Sequence, residues 1–123
     1  MRRIVAALIV CLVALGLLLL VIAASTQPVE IRCYPRLTFA PADVVIVVRV
    51  LRHRDNEALL VTADSGETLR SSGIQLDGVE APITHRFAWR ALPAGDYTVA
   101  AQLFQNKRRV RTVTTSLQIL GSP

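Results

Sequence analysis

Val44-Val45-Ile46-Val47-Val48-Arg49-Val50-Leu51 is the stretch that decides the fold. Five of its eight residues are valine and one is isoleucine. Branching at Cβ restricts χ1 and suits a pleated strand better than a helix. Apolar residues occupy both faces of the run, which suggests a central strand.

The segments around it alternate with a period of two. Upstream, Val29-Glu30-Ile31-Arg32-Cys33 reads as a first strand, and Pro35 and Pro41 bracket a connection through Arg36 to Ala40. Downstream, Arg52 to Glu57 is a polar turn, Ala58 to Ala63 a strand, and Asp64-Ser65-Gly66-Glu67 another turn. A weaker strand runs from Thr68 to Leu76, interrupted by Ser71-Ser72-Gly73, and Asp77-Gly78 is a strong turn dipeptide. From Ile83 to Arg90 the chain places Ile83, His85, Phe87 and Trp89 on one side and Thr84, Arg86, Ala88 and Arg90 on the other. Leu92-Pro93-Ala94-Gly95 is a turn, Asp96 to Phe104 a strand, and Asn106-Lys107 a tight hairpin. The last strand, Arg109 to Leu120, sets Val113, Thr115, Leu117 and Ile119 on one face. About seven short strands and no helix after the N-terminal segment predict an all-β antiparallel sandwich over residues 29–121.

Leu92-Pro93-Ala94-Gly95-Asp96-Tyr97-Thr98-Val99 resembles the E–F corner of bacterial fibronectin type III-like and immunoglobulin-like domains. The resemblance implies an immunoglobulin/fibronectin-III-like sandwich in which Tyr97 starts a strand and ties its hydroxyl to the backbone, the tyrosine corner. Prealbumin-like modules share the phrase, so it marks an architecture class. The paired cysteines of antibody-type domains are absent.

The first 25 residues read differently. Met1-Arg2-Arg3 precedes 21 uncharged, mostly apolar residues, Ile4 to Ala24. About 20 such residues span a bilayer as a helix, and the leading arginines hold the start in the cytoplasm. A cleaved signal peptide has the same basic start but an apolar core of only about 7–15 residues. Residues 1–25 are therefore read as a signal anchor, with a signal peptide as the alternative, and residues 26–28 as a short linker. Both put the domain outside the cytoplasm, membrane-anchored in the first case and secreted in the second. Cys11 is preceded by Val10 and lies in mid-run, which argues against lipidation. Cys33 is then the folded part's single thiol, read as a small buried hydrophobe or, alternatively, as an intermolecular bridge.

The net charge is +5, of which Arg2 and Arg3 supply two units. The remaining 12 basic and 9 acidic residues leave a mild excess that does not argue for nucleic acid. No glycine-rich phosphate loop, nucleophile elbow or metal-ligand spacing is present in the sequence. The chain is accordingly read as non-catalytic, with no cofactor and no metal.

One constellation remains. If the strands follow the immunoglobulin order, with the first, second and fifth adjacent, parity sends Phe87 and Trp89 to the core. Arg32, Arg49, Arg86 and Arg90 then share the opposite face. Two readings stand: solvated residues of an ordinary outer face, or a surface for a carboxylate- or phosphate-bearing partner. The expected role is an interaction or structural module of the cell envelope. Its partners would be the membrane, through the N-terminal helix, and a protein or anionic envelope polymer. The alternative is an accessory domain binding an anionic small molecule or glycan on the arginine face. Lys107-Arg108-Arg109-Val110-Arg111 is a basic hairpin tip that serves solubility or touches anionic headgroups.

Overall fold

A computed structural model describes residues 27–121. The apolar segment read as a membrane anchor or signal, residues 1–25, lies outside the described residues. Eight strands follow in chain order: β1 (Val29–Tyr34), β2 (Leu37–Phe39), β3 (Ala42–Val50), β4 (Asn56–Asp64), β5 (Leu69–Gln75), β6 (Thr84–Leu92), β7 (Gly95–Gln105) and β8 (Arg108–Leu120). A single 3-10 turn, Gly78–Glu80, joins β5 to β6. No helix among the described residues is long and apolar enough to cross a membrane.

The strands form two sheets, β1-β3-β6 and β2-β8-β7-β4-β5. Pairing is antiparallel except for β2, which runs parallel to β8. β3 is the middle strand of the smaller sheet, as its two-sided apolar pattern predicts.

Two expectations need correction. The described residues hold eight strands and not about seven, because the proline-bracketed connection contains β2. Its three residues take up the free edge of β8, and Ala40 N donates to Leu120 O at 2.8 Å beyond them. β5 runs through Ser71-Ser72-Gly73 without a break, since antiparallel pairing to β4 overrides the weak local propensity.

Alternation fills the space between the sheets. From the smaller sheet come Val44, Ile46 and Val48 of β3 with Phe87 and Trp89 of β6, all buried. Leu59, Val61 and Ala63 of β4, Val99 and Ala101 of β7 and Leu117 and Ile119 of β8 face them. Burying each such Val, Leu or Ile contributes about 1.5–3 kcal/mol. Tyr97, 2% exposed, donates its hydroxyl to Pro93 O at 2.8 Å and so fixes the turn between β6 and β7. In the β7–β8 hairpin Asn106 and Lys107 both take positive φ, 52° and 62°, the two-residue turn that matches strand twist.

At the end where Pro28 leads into β1, here called proximal, a hydrogen-bond relay crosses the sandwich. Leu51 N donates to Pro28 O at 3.0 Å, and Asn56 Nδ2 donates to Leu51 O at 3.0 Å. Gln105 Nε2 in turn donates to Asn56 Oδ1 at 2.8 Å. Asn56 is the one buried polar residue among those described, and this relay satisfies its side chain.

Candidate functional site

Cross-strand register builds the outer face of the smaller sheet row by row. Glu30, Arg49 and Thr84 form one row across β1, β3 and β6, and Arg32, Val47 and Arg86 form the next. Tyr34, Val45 and Ala88 form a third. Neighbouring strands lie about 4.8 Å apart, so the Cα atoms of Arg32 and Arg86 stand about 10 Å apart with Val47 between them. Arg49 sits one row away on the central strand. Arg32, Arg49 and Arg86 thus surround a half-buried valine, close enough for three guanidiniums to reach one extended anion.

Arg90 is not part of this group. Two residues of β6, Arg90 and Ala91, lie where β3 offers only Asp43, because the register shifts between Ala42 and Val44. Ala91 adopts φ 55°, and its N–H, left out of the ladder, donates to Asp43 Oδ1 at 3.0 Å. Arg90 lies at this bulge, exposed and four residues along β6 from Arg86, about 13 Å away.

All four arginines are exposed, and none forms an ion pair among the described residues. A hydrogen bond with the Tyr34 side chain, then attraction to Tyr34 and Glu30, holds the Arg32 pKa above arginine's ordinary value. Glu30, Arg32, Tyr34, Val47, Arg49 and Thr84 line a shallow open concavity of about 270 Å³. Its polar lining is two forked guanidinium donors, one phenol and one threonine hydroxyl, with the Glu30 carboxylate at one edge partly balancing the positive charge.

The groups able to do covalent chemistry lie elsewhere. Cys33 is 2% exposed and faces the core, where burial pushes its thiol pKa up against an opposing effect of Arg36. His85 turns inward from β6, and its Nε2 is buried without a hydrogen-bond partner. His53 lies in the loop after β3, its Nδ1 accepting from Asp55 N at 3.0 Å. Among the described residues, no three His, Cys, Asp or Glu side chains come together as metal ligands would.

Sequence reasoning missed two features. Trp89 Nε1 donates to Ser72 Oγ at 2.9 Å, so a serine read as an interruption is the partner of the tryptophan. The outer face of the larger sheet, with Leu60, Thr62, Ala100, Gln102, Thr112 and Thr114 in facing rows, is uncharged at its centre. Parity along β4, β7 and β8 carries that signal. The two outer faces of the sandwich are therefore chemically opposed, one basic and one neutral.

No family model matches the chain, and no curated protein matches it in sequence. Similarity to solved structures is clear by contrast. The superoxide reductase (neelaredoxin) from Ignicoccus hospitalis superposes with a TM-score of 0.56 at 12% identity, covering 76% of this chain and 81% of that one. The CARDB domain of the PF1109 protein from Pyrococcus furiosus, solved in complex with di-metal ions, gives 0.51 at 17% identity, with 76% and 92% covered. A family 76 glycoside hydrolase from a bovine Bacteroides thetaiotaomicron strain gives 0.53 at 15% identity. The match covers 77% of this chain but 21% of the hydrolase. The likeness is one of fold. At these identities it carries an all-β architecture and no activity.

Proposed function

We propose that this chain is a non-catalytic, extracytoplasmic module of the cell envelope. In this reading it is an immunoglobulin/fibronectin-III-like sandwich that engages an anionic partner through the outer face of β1-β3-β6. The single observation that carries the reading is the placement of Arg32, Arg49 and Arg86 around Val47, exposed and free of ion pairs among the described residues. Planar guanidiniums pair with carboxylate or phosphate in bidentate fashion, and a rigid strand holds their bases at fixed spacing.

The narrower fold assignment rests on two features. The order β1-β3-β6 against β8-β7-β4-β5 matches an A-B-E sheet facing a G-F-C-C′ sheet, and the Tyr97 hydroxyl reaches Pro93 O as a tyrosine corner does. The location rests on Arg2 and Arg3 ahead of the apolar run. The non-catalytic assignment rests on the inward aim of Cys33 and His85, which keeps both off the arginine face.

A second reading, an accessory domain for an anionic small molecule or glycan, is favoured by the concavity beside Tyr34 and Arg49. One experiment addresses both. Full-length chain in phosphatidylcholine nanodiscs is titrated with polyglutamate, polyphosphate and a panel of monomeric anionic sugars. Replacement of Arg32, Arg49 and Arg86 by alanine is expected to abolish binding while leaving the thermal transition within about 1 kcal/mol, as for exposed sites generally. Binding of the polymers alone supports the envelope-module reading, and saturable binding of a monomer supports the second. Binding that survives the triple replacement refutes the site.

A further inference from the structure

Charge is unevenly distributed between the two ends of the sandwich. The relay through Asn56 brings together Pro28, the loop between β3 and β4, and the β7–β8 hairpin. At that proximal end, Arg52, Arg54, Lys107, Arg108, Arg109 and Arg111 face Asp55, Glu57, Asp77 and Glu80, six basic residues against four acidic. Two of those acids are already engaged. Asp55 lies 4.0 Å from Arg54, and Glu57 accepts from Lys107 N at 3.1 Å. The distal end is reversed, with Arg36, Arg70 and Arg90 against Asp43, Asp64, Glu67 and Asp96.

Exposed apolar side chains accompany the basic ones. Leu51 follows β3, Val79 caps the 3-10 turn that packs over Arg54 through Gly78, and Val110 sits behind the hairpin tip. All three are exposed large hydrophobics at the proximal end, at 37%, 59% and 44%. Cationic side chains interleaved with short apolar ones form the surface that a headgroup layer accepts. The described chain also starts at this end. Only Ser25, Thr26 and Gln27 separate the apolar run, Ile4 to Ala24, from Pro28 and its hydrogen bond with Leu51.

We propose that the proximal end of the sandwich rests on anionic lipid headgroups, with the β7–β8 hairpin and the β3–β4 loop as its points of contact. This rests on the reading that residues 4–24 occupy a bilayer. The strands then stand upright on the membrane, and the arginine face looks sideways into the envelope, open to a polymer. Each cation near an anionic surface raises contact about fivefold, so three of them multiply it about a hundredfold.

The test uses full-length chain in nanodiscs of phosphatidylcholine alone and with added phosphatidylglycerol. Amide hydrogen exchange is followed at Leu51–Asp55 and Gln105–Arg111. Slower exchange in the phosphatidylglycerol discs is expected at both segments, with no change at the distal turn Asp64–Glu67. Salt at about 1 M, which screens charges beyond about 3 Å, should erase the difference. So should the combined Lys107→Glu, Arg108→Glu and Arg109→Glu replacements at the exposed tip. Equal exchange in the two lipids overturns the proposal. Equal slowing by soluble polyphosphate in neutral discs also overturns it, since the site would then be a general anion site. Flotation with phosphatidylcholine vesicles tests the bilayer segment separately. A chain that does not float overturns both readings, whereas one that floats but shows no dependence on phosphatidylglycerol overturns only this one.

Discussion

Trp89 on β6 and Ser72 on β5 join the two sheets at their open side, indole Nε1 to hydroxyl oxygen at 2.9 Å. β6 is the outer strand of the smaller sheet and β5 the outer strand of the larger, so no backbone ladder connects them. The indole is 7% exposed and contributes both apolar area and this bond. Trp89→Ala should cost about 3–5 kcal/mol in chemical denaturation. A double-mutant cycle of Trp89→Phe with Ser72→Ala should isolate a coupling of about 0.5–1.5 kcal/mol. A loss below about 1 kcal/mol for Trp89→Ala would mean that the indole is not core.

Tyr97 tests the corner in the same way. Tyr97→Phe keeps the ring in place and removes only the donor to Pro93 O, so a loss of about 0.5–1.5 kcal/mol is expected. Tyr97→Ala should add the cavity and approach the Trp89→Ala value. Similar losses for the two variants would show that the hydroxyl contact dominates over packing.

Ala91 sits in the left-handed region at φ 55°, where a Cβ costs about 1–2 kcal/mol. Ala91→Gly is therefore expected to raise stability by up to about 1 kcal/mol, glycine's unfolded-state entropy offsetting part of the relief. Asp43→Ala, which strips the Ala91 N–H of its acceptor, should lower it by about 1–2 kcal/mol. Thermal or urea melts of the two variants, moving in opposite directions, would check the bulge.

His85 gives the fold a pH dependence of definite sign. Burial lowers its pKa, opposed by a hydrogen bond with the Pro82 backbone. The native state therefore holds the imidazole neutral while the unfolded chain takes up a proton near pH 6.5. Its contribution is fully present above about pH 6.5 and fades as pH falls toward the lowered native value, because the unfolded state then binds more protons. Urea midpoints measured from pH 7.5 down to 5 should fall, and His85→Leu should flatten that slope. An unchanged slope in the variant would place the dependence on the carboxylates instead.

Much of the architecture was legible because burial on one face writes itself into the sequence as a period of two. Val44 to Val50 and Ile83 to Arg90 carry that pattern over enough residues to set strand, face and neighbours together. Residues Leu37 to Phe39 do not. Three residues between prolines hold too little pattern to predict pairing, and β2 exists because β8 runs on to Leu120 and leaves an edge to be filled. Ser71-Ser72-Gly73 misled for a related reason: its strand character comes from pairing with β4 across a short turn and from the Trp89 indole on β6, neither of which its own composition shows. On the arginine face, parity alone groups Arg32, Arg49 and Arg86. It also groups Arg90, which is exposed on β6 but stands two rows from Arg86 at the bulge, a separation along the strand that parity does not show.

The proposed working surface is the basic outer face of β1-β3-β6. A photoreactive amino acid placed at Val47, between Arg32 and Arg86, in chain expressed in its own membranes would report what lies against that face. The same probe at Leu60 would report on the neutral face opposite. Adducts at position 47 that vanish when Arg32 and Arg86 become glutamate are expected, with few or none at position 60. Adducts confined to position 60, or adducts at 47 indifferent to the two arginines, would contradict that proposal.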